Sequence, residues 1–352
     1  MDLTGKRIWQ QACGDWDRNY VLECLNWDVI LNGPGYAGAW PECKPRLVVD
    51  GWSSRKQTDI RRFAEDMSDG DLVVIRIGTS EVFGVGVIVG GYGWSELFAD
   101  MDGWDLQHYR RVRWLWKGAS EPKVFEKYDL KLGDTTQLLS EDSSEVREWL
   151  SGLNFTEEEL AKPLVILPEN HSPLVSHSEI AEYLYDYGVS STSIETLLRE
   201  FSELQRIAKW YTKRENAPSE SETVTYLVVP LLRALGWTPQ RMAVEWNKVD
   251  VALFDELPRS DESLSIVVEA KKKGNACLTA FSQAEGYAKA KTHCKRLIVT
   301  DGLRYGVFIH DGAEFKISAY FNIVDLRDSH PIYGCKGVKE ALRMMTPEWR
   351  HS

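Results

Sequence analysis

No two of the six cysteines (Cys13, Cys24, Cys43, Cys277, Cys294 and Cys335) stand in a CxxC spacing. This argues against a structural zinc site or a disulfide framework, and the cysteines are expected to be reduced and mostly core residues. No apolar run approaches the roughly 20 residues of a membrane span. The opening MDLTGKRIWQQACGDWD has no basic segment leading into an apolar one, so the expectation is a cytoplasmic protein with no membrane partner. No GxxxxGK followed by Ser or Thr occurs, so the chain has no phosphate loop with which to bind ATP and drive a motor. Internal repeats and low-complexity tracts are absent as well. Basic charge is in short supply: 42 Lys and Arg against 53 Asp and Glu leave a net charge of −11. That is the wrong sign overall for gripping a phosphate backbone. Local clustering matters more than the sum, and Arg55 to Arg62 (RKQTDIRR) and Arg110 to Arg113 (RRVR) permit one basic face. Either cluster alone reads as solvated surface.

What is present is an ordinary globular composition, 43% hydrophobic and 27% charged over 352 residues. That length suits two cores and a connector. Nine of the fourteen tryptophans fall in the first 116 residues, among glycine-bounded β-branched runs. DLVVIRIG (71–78), VFGVGVIVGGY (82–92) and YRRVRWLW (109–116) are expected strands, the last with Trp114 and Trp116 pointing inward together. TDIRRFAEDM (58–67) has helical spacing, with Thr58 or Asp59 as cap. The pattern then turns helical from about 121 to 217. Asp142 with Glu145 and Thr156 with Glu159 have capping-box spacing. Ile194, Leu197, Leu198, Phe201, Leu204, Ile207, Ala208 and Tyr211 form a stripe expected to pack on the unit that follows. RENAPSES (214–221) reads as a break.

Beyond the break, SETVTYLVVPLLRALGW (221–237) reads as a helix burying Leu227, Leu231, Ala234 and Leu235. MAVEWNKVDVALF (242–254) reads as a strand pair, SLSIVVEAKKKG (263–274) as an apolar strand ending in charge, FSQAEGYAKAK (281–291) as a helix, and RLIVTDGLRYGVFI (296–309) as two strands around Asp301 and Gly302. Asp250 and Glu269 each sit against an apolar strand, where an acid is costly without a counter-charge. Residues two apart share a face of a strand, so Lys271 is expected to converge with Glu269 on one site. Paired carboxylates are the ligands hard cations want, and a cation between Asp250 and Glu269 would neutralise a phosphate and activate water. Lys271 would orient the water or stabilise the pentavalent phosphorane.

The SESET…VPLLRALGW helix, VDVAL, VVEAKK and the QAEGY segment together resemble the PD-(D/E)XK nuclease superfamily, and in particular the N-terminal nuclease domain of type I restriction motor subunits. The resemblance covers about residues 218–325. It implies a magnesium or manganese cofactor and a further acid from the entrance helix, Glu220 or Glu222. It also implies that Gln283 acts near the metal or the DNA backbone with Tyr287 behind it. Lys272 and Lys273 are expected at phosphates rather than in the chemistry. Residues 5–118, approximately, resemble the EVE and PUA-like family: IRRFAEDMSDGDLVVIR, the glycine-rich strand ending near Tyr92, the closing strand rich in Arg and Trp, and NYVLECLNWDVILNGPG (19–35) upstream. Members bind nucleic acid and accept a flipped, modified base in an aromatic pocket, where it recovers lost stacking. Trp27, Tyr36, Trp40, Tyr92 and Trp94 are the candidate stackers, with Asn32 and Arg76 as polar readers.

The expected architecture is therefore a β-rich EVE/PUA-like domain (1–120), a helical connector (121–217) and an α/β nuclease core with a mixed sheet flanked by helices (218–352). The expected function is a modification-dependent DNA endonuclease of the type IV restriction kind, in anti-phage defence, acting on DNA with modified cytosine. Double-strand cleavage would call for a homodimer or pairing on DNA. A nuclease for modified RNA and a non-cleaving nucleic-acid-binding subunit of a larger complex, with or without a separate ATPase, are the alternatives.

Overall fold

A computed structural model describes residues 3–126, 128–154, 156, 161–168, 172–212, 218–273, 277–289, 291 and 293–350. The chain divides into two compact units, Met1–Asn170 and His171–Ser352. The stretch 121–217 is thus shared between the two units instead of standing apart as a connector. No helix among the described residues is long and apolar enough to cross a membrane.

The first unit is built on a mixed seven-stranded sheet. Its strands are β1 (Ile8–Ala12), β2 (Val29–Asn32), β3 (Leu72–Ile77), β4 (Glu81–Trp94), β5 (His108–Lys117), β6 (Lys123–Val124) and β7 (Thr136–Leu138). They lie in the order β2-β5-β4-β3-β1-β7, with β6 paired to β4. Only the β1–β3 pair is parallel; the others are antiparallel. The three strands legible in the sequence form where the β-branched runs lie. Val146 and Leu150 of the helix Ser144–Gly152 pack with Ile8, Leu72, Val74, Val82 and Val85 in one apolar cluster. Asp142 and Glu145 do not form the expected capping box there, because the cap position is Ser143, whose hydroxyl donates to Asp129 O and makes no capping bond. Glu159, the partner expected for Thr156, lies outside the described residues. The helix expected over 58–67 begins earlier, at Ser54, where Ser53 accepts the Lys56 N–H, and its last turn Arg62–Asp66 widens to π geometry. Ser53 caps better than Thr58 or Asp59 because its backbone is extended, as a cap requires. Trp114 is buried and donates to Cys24 O, while Trp116 packs half-buried against Trp149. All six cysteines are buried and none is in a disulfide.

The second unit has an eight-stranded mixed sheet in the order β14-β15-β13-β12-β11-β10-β9-β8. The strands are β8 (Met242–Trp246), β9 (Val249–Phe254), β10 (Leu264–Ala270), β11 (Arg296–Thr300), β12 (Arg304–His310), β13 (Phe315–Asn322), β14 (Ser329–His330) and β15 (Cys335–Lys336). Strands β10 and β11 are parallel and so need a crossover, which carries the helix Phe281–Ala288. Alternate residues of the central strands serve two cores. Val251, Leu253, Ile266 and Val268 join Leu197, Phe201 and Leu204 of the long helix Ser191–Thr212, together with Leu227 and Leu231 of the entrance helix. Ala252, Phe254 and Val267 join Ala280, Ala284 and Ala288 of the crossover on the other face. The apolar stripe of the long helix therefore packs within its own unit, as its period requires. Residues 214–217 of the expected break lie outside the described residues.

Candidate functional site

In the β9–β10 ladder Val251 faces Val268 and Ala252 faces Val267. One step further along this antiparallel register, Asp250 comes beside Glu269, and cross-strand neighbours share a face. Both acids lie on the side covered by the helix Phe281–Ala288, since Asp250 alternates with Ala252 and Glu269 with Val267. Asp250 Oδ2 accepts the Ala270 N–H at 2.7 Å, which pins its carboxylate across the strands. Glu269 is 1% exposed. Its Oε1 accepts from Lys271 Nζ at 3.2 Å, while its Oε2 is buried without a hydrogen-bond partner. Burial, then the Asp250 charge, pushes the Glu269 carboxyl up to about 7, against the pull of Lys271; Glu220 adds a further push. Burial also raises Asp250, against the hydrogen bond from Ala270 and the attraction of Lys271.

Strand β10 ends at Ala270, yet Lys271 still turns to the Glu269 side. Its Nζ also donates to Gln283 Oε1 at 2.8 Å, and Gln283 Nε2 donates to Tyr287 Oη at 3.3 Å. Five residues singled out in the sequence therefore meet: Asp250, Glu269, Lys271, Gln283 and Tyr287. The two entrance-helix acids separate by their bonding. Glu222 closes a capping box with Ser219, accepting its N–H at 2.8 Å and its hydroxyl at 2.9 Å. Glu220 has no part in that cap, and its charge acts on Glu269. Lys272 is exposed. Burial lowers Lys273, against the attraction of Asp301.

A buried carboxylate and a half-buried one that repel each other, the buried one with an orphaned oxygen, form a donor set that a divalent cation would complete. Among the described residues no group of three or more His, Cys, Asp and Glu side chains is disposed around a metal position. Magnesium commonly takes one or two protein carboxylates and draws its remaining oxygens from water and phosphate, so Asp250 and Glu269 fit it.

The first unit holds a cavity of about 430 Å³ between the β1 end, the turn after β2 and the loop before β5. Of the seven residues expected to form a base pocket, Asn32 and Tyr36 line it. Asn32 is spent on structure: its amide donates to Thr136 Oγ1 at 3.0 Å, and its Oδ1 accepts from Gly33 N and Lys56 Nζ. The other five are not among the lining residues. Trp27 is the last residue of the helix Val21–Trp27. Trp40 is buried and donates its Nε1–H to Glu65. Arg76 is buried and donates to the backbone oxygens of Gly78 and Asp134. Trp94 donates its Nε1–H to Gly35 O. Tyr92 accepts the Trp40 N–H at 2.9 Å and stands 2.6 Å from His108 Nδ1, while His108 Nε2 stands 2.9 Å from Pro34 O. A carbonyl only accepts, so Nε2 carries the proton to Pro34 and Tyr92 donates to Nδ1. Burial keeps this imidazole neutral, down to about 4.

The aromatic walls come from elsewhere: Trp52, Trp104 and Tyr20 beside Tyr36, with Lys56 and Asp105 as charged lining. Trp52 follows Gly51 and Trp104 follows Gly103, just as Trp94 follows Gly93, so the local sequence does not separate them from Trp94. Which loop aromatics meet depends on the turn after β2. That turn lies directly on the 105–107 segment, since a Cβ on Gly33 would come within 2.1 Å of Asp105 O. Asp105 Oδ2 receives the Gly35 and Tyr36 N–H groups, and burial raises its carboxyl against those bonds. Arg18 stacks on Trp104 at 4.0 Å and Arg46 on Tyr36 at 5.1 Å.

The two basic clusters seen in the sequence are largely consumed inside the unit. Arg55 and Arg62 both pair with Asp134, and Arg110 is buried, donating to Phe63 O and Ala64 O. Of the first cluster Lys56 lines the cavity, and Arg18 and Arg46, from outside both clusters, stack on its aromatic walls. Residues 40–136, which include Trp52, Lys56, Trp104 and Asp105, match a family described as a domain of unknown function (DUF8426), and none of the curated proteins matches the chain.

Proposed function

We propose that the chain is a divalent-metal-dependent DNA endonuclease that takes a modified base, such as a modified cytosine, into the cavity of its first unit. We further propose that it hydrolyses phosphodiesters at the Asp250–Glu269–Lys271 site of its second unit. The observation that carries the reading is the Glu269 carboxylate, buried with one oxygen orphaned, beside Asp250 and touched by Lys271. A structural ion pair would satisfy both oxygens. This one leaves a position for a cation.

Asp250 and Glu269 would hold magnesium or manganese. Bound there, the ion supplies charge neutralisation of the phosphate and activation of water. Lys271 spends two of its three hydrogens on Glu269 Oε1 and Gln283 Oε1. The third is the donor for a phosphoryl oxygen as negative charge develops. Gln283 holds the ammonium in place, and Tyr287 holds Gln283. Glu220 is the further acid at this site in preference to Glu222, whose Oε2 accepts both cap bonds from Ser219. On the other unit, the aromatic walls suit an extruded base, which regains by stacking what it lost on leaving the helix. Reader and nuclease in one chain without a phosphate loop fit a type IV restriction activity in anti-phage defence.

The test is cleavage of plasmids carrying cytosine, 5-methylcytosine or 5-hydroxymethylcytosine, with magnesium or manganese. Cleavage of a modified plasmid alone is the expected result. Equal cleavage of all would sink the reader, and preference for modified RNA would redirect the substrate. No cleavage of any, with Asp250→Ala binding as wild type does, would leave a non-cleaving clamp.

A further inference from the structure

Asp105 is the one acid among the described residues that line the cavity. It is half-buried, and no ion pair among the described residues neutralises it. Its Oδ2 accepts the Gly35 N–H at 3.2 Å and the Tyr36 N–H at 2.9 Å, and the Gln107 side chain adds a third donor. An ionised carboxylate offers about four lone-pair sites, so it can take a further donor, and its anchor on the turn after β2 fixes its direction. Most donors around it are already given away. Lys56 spends its ammonium hydrogens on Asn32 Oδ1, Asp59 Oδ2 and Thr135 Oγ1. The Tyr20 hydroxyl donates to Ala12 O, the Tyr36 hydroxyl to Asp50 Oδ2, and the Trp52 indole to Tyr36 Oη. The Trp104 indole remains, and it suits a ring carbonyl such as O2, which cytosine and uracil share.

The cavity thus pairs aromatic faces with a spare acceptor. We infer that Asp105 reads the exocyclic amino group of a flipped cytosine, and so sets the cavity for 4-amino pyrimidines against their 4-oxo counterparts. A uracil-type base puts a carbonyl oxygen where cytosine has N–H, and two acceptors facing one another leave both unsatisfied. The one donor on the uracil edge, N3–H, lies between two carbonyls, so a carboxylate approaching it meets repulsion on both flanks. Burial already raises the Asp105 carboxyl against its three donors, so a fourth N–H stabilises the anion and a carbonyl destabilises it. The inference rests on the reading that the cavity accepts a base, and adds which edge of that base is read and by which residue.

The experiment uses the full chain without divalent metal and labelled single strands that contain no other cytosine. Each carries one central 5-hydroxymethylcytosine, 5-hydroxymethyluracil or abasic position, so no pairing partner biases the release of the base. Wild type should bind the cytosine strand about ten-fold more tightly than the uracil strand. In Asp105→Asn the amide oxygen still accepts the Gly35 and Tyr36 N–H groups, while its amide hydrogens replace the spare lone pairs. That variant should bring the ratio to one or turn it toward uracil. The ratio is taken within one protein, so a general weakening cancels, and the wild-type comparison stands even where the variant fails to fold. Equal wild-type affinities, a wild-type preference for uracil, or a folded Asp105→Asn that keeps the wild-type ratio would overturn the assignment. If wild type binds neither base more tightly than the abasic strand, the base-cavity reading fails and the role of Asp105 falls with it. If it binds both bases equally and above the abasic strand, and Trp52→Ala removes that gain, the cavity reading stands and only the amino reading fails.

Discussion

Lys271 Nζ donates to Gln283 Oε1 at 2.8 Å, so a residue twelve positions downstream aims the ammonium that faces Glu269. Gln283 is a positioning residue in this scheme. Gln283→Ala should lower kcat about ten-fold while leaving DNA affinity and melting temperature unchanged. A parallel loss of affinity and melting temperature would mean that the glutamine only supports the fold.

Removing the chemistry should be far more costly than removing its support. Glu269→Gln and Asp250→Ala are expected to abolish detectable cleavage, and Lys271→Met to slow it by about 10²–10³-fold. All three should keep DNA binding in filter or gel-shift assays. Chelation by EDTA should stop the wild-type enzyme and excess magnesium restore it. Cleavage that persists in EDTA would remove the metal from the mechanism.

Glu220 and Glu222 should part company. Glu220→Gln is expected to reduce the cleavage rate ten-fold or more, with no change in stability, an effect of about 1.4 kcal/mol on the barrier. Glu222→Gln should leave the rate nearly intact, because its work is the cap on Ser219. Its cost should be confined to stability, read as a small fall in melting temperature. Equal rate losses in the two variants would undo the assignment.

The cavity and the core of the first unit make opposite demands on tryptophan. Trp52→Ala and Trp104→Ala should each weaken binding of modified DNA about ten-fold, in line with about 1–3 kcal/mol per stacked base, with urea midpoints near wild type. Trp40→Ala should destabilise the chain by about 3–5 kcal/mol, because Trp40 is buried and bonded to Glu65 and Tyr92.

His108 makes stability depend on pH. Its pKa is held down to about 4 in the folded chain against 6.5 in the unfolded one, so the unfolded chain binds the extra proton between those values. This contribution is complete above about pH 6.5 and is lost as pH falls toward 4, by up to about 3 kcal/mol. Melting curves between about pH 7 and pH 5 should show a steeper loss for wild type than for His108→Gln. Matching slopes would show that burial does not hold the ring neutral.

Much of the second unit was legible because its signals are local. The alternation around Asp250 and in SIVVEA put each acid at the end of an apolar strand, and the strand period put Glu269 and Lys271 on one side. The helical period of 281–291 placed Gln283 and Tyr287 on a helix that a parallel strand pair has to cross with. The choice between Glu220 and Glu222 was not legible, since both open the same helix and only the Ser219 cap separates them.

The first unit reads differently. Glycine and β-branched residues by themselves determined three of its strands and its wealth of loop aromatics, because backbone preference is a property of each short segment. Tertiary structure alone decided which aromatics face a cavity. Trp52 and Trp104 are 52 residues apart in sequence and meet only because the Gly33–Gly35 turn lies flat on residues 105–107. The same packing turned Tyr92 into a hydrogen-bond relay, Trp40 into core and Arg110 into a brace for Phe63. Scattered residues converge through long-range contacts that no local period records. The near absence of signals for zinc, disulfides and ATP was readable at once, because each would have required residues at fixed spacing in the chain itself.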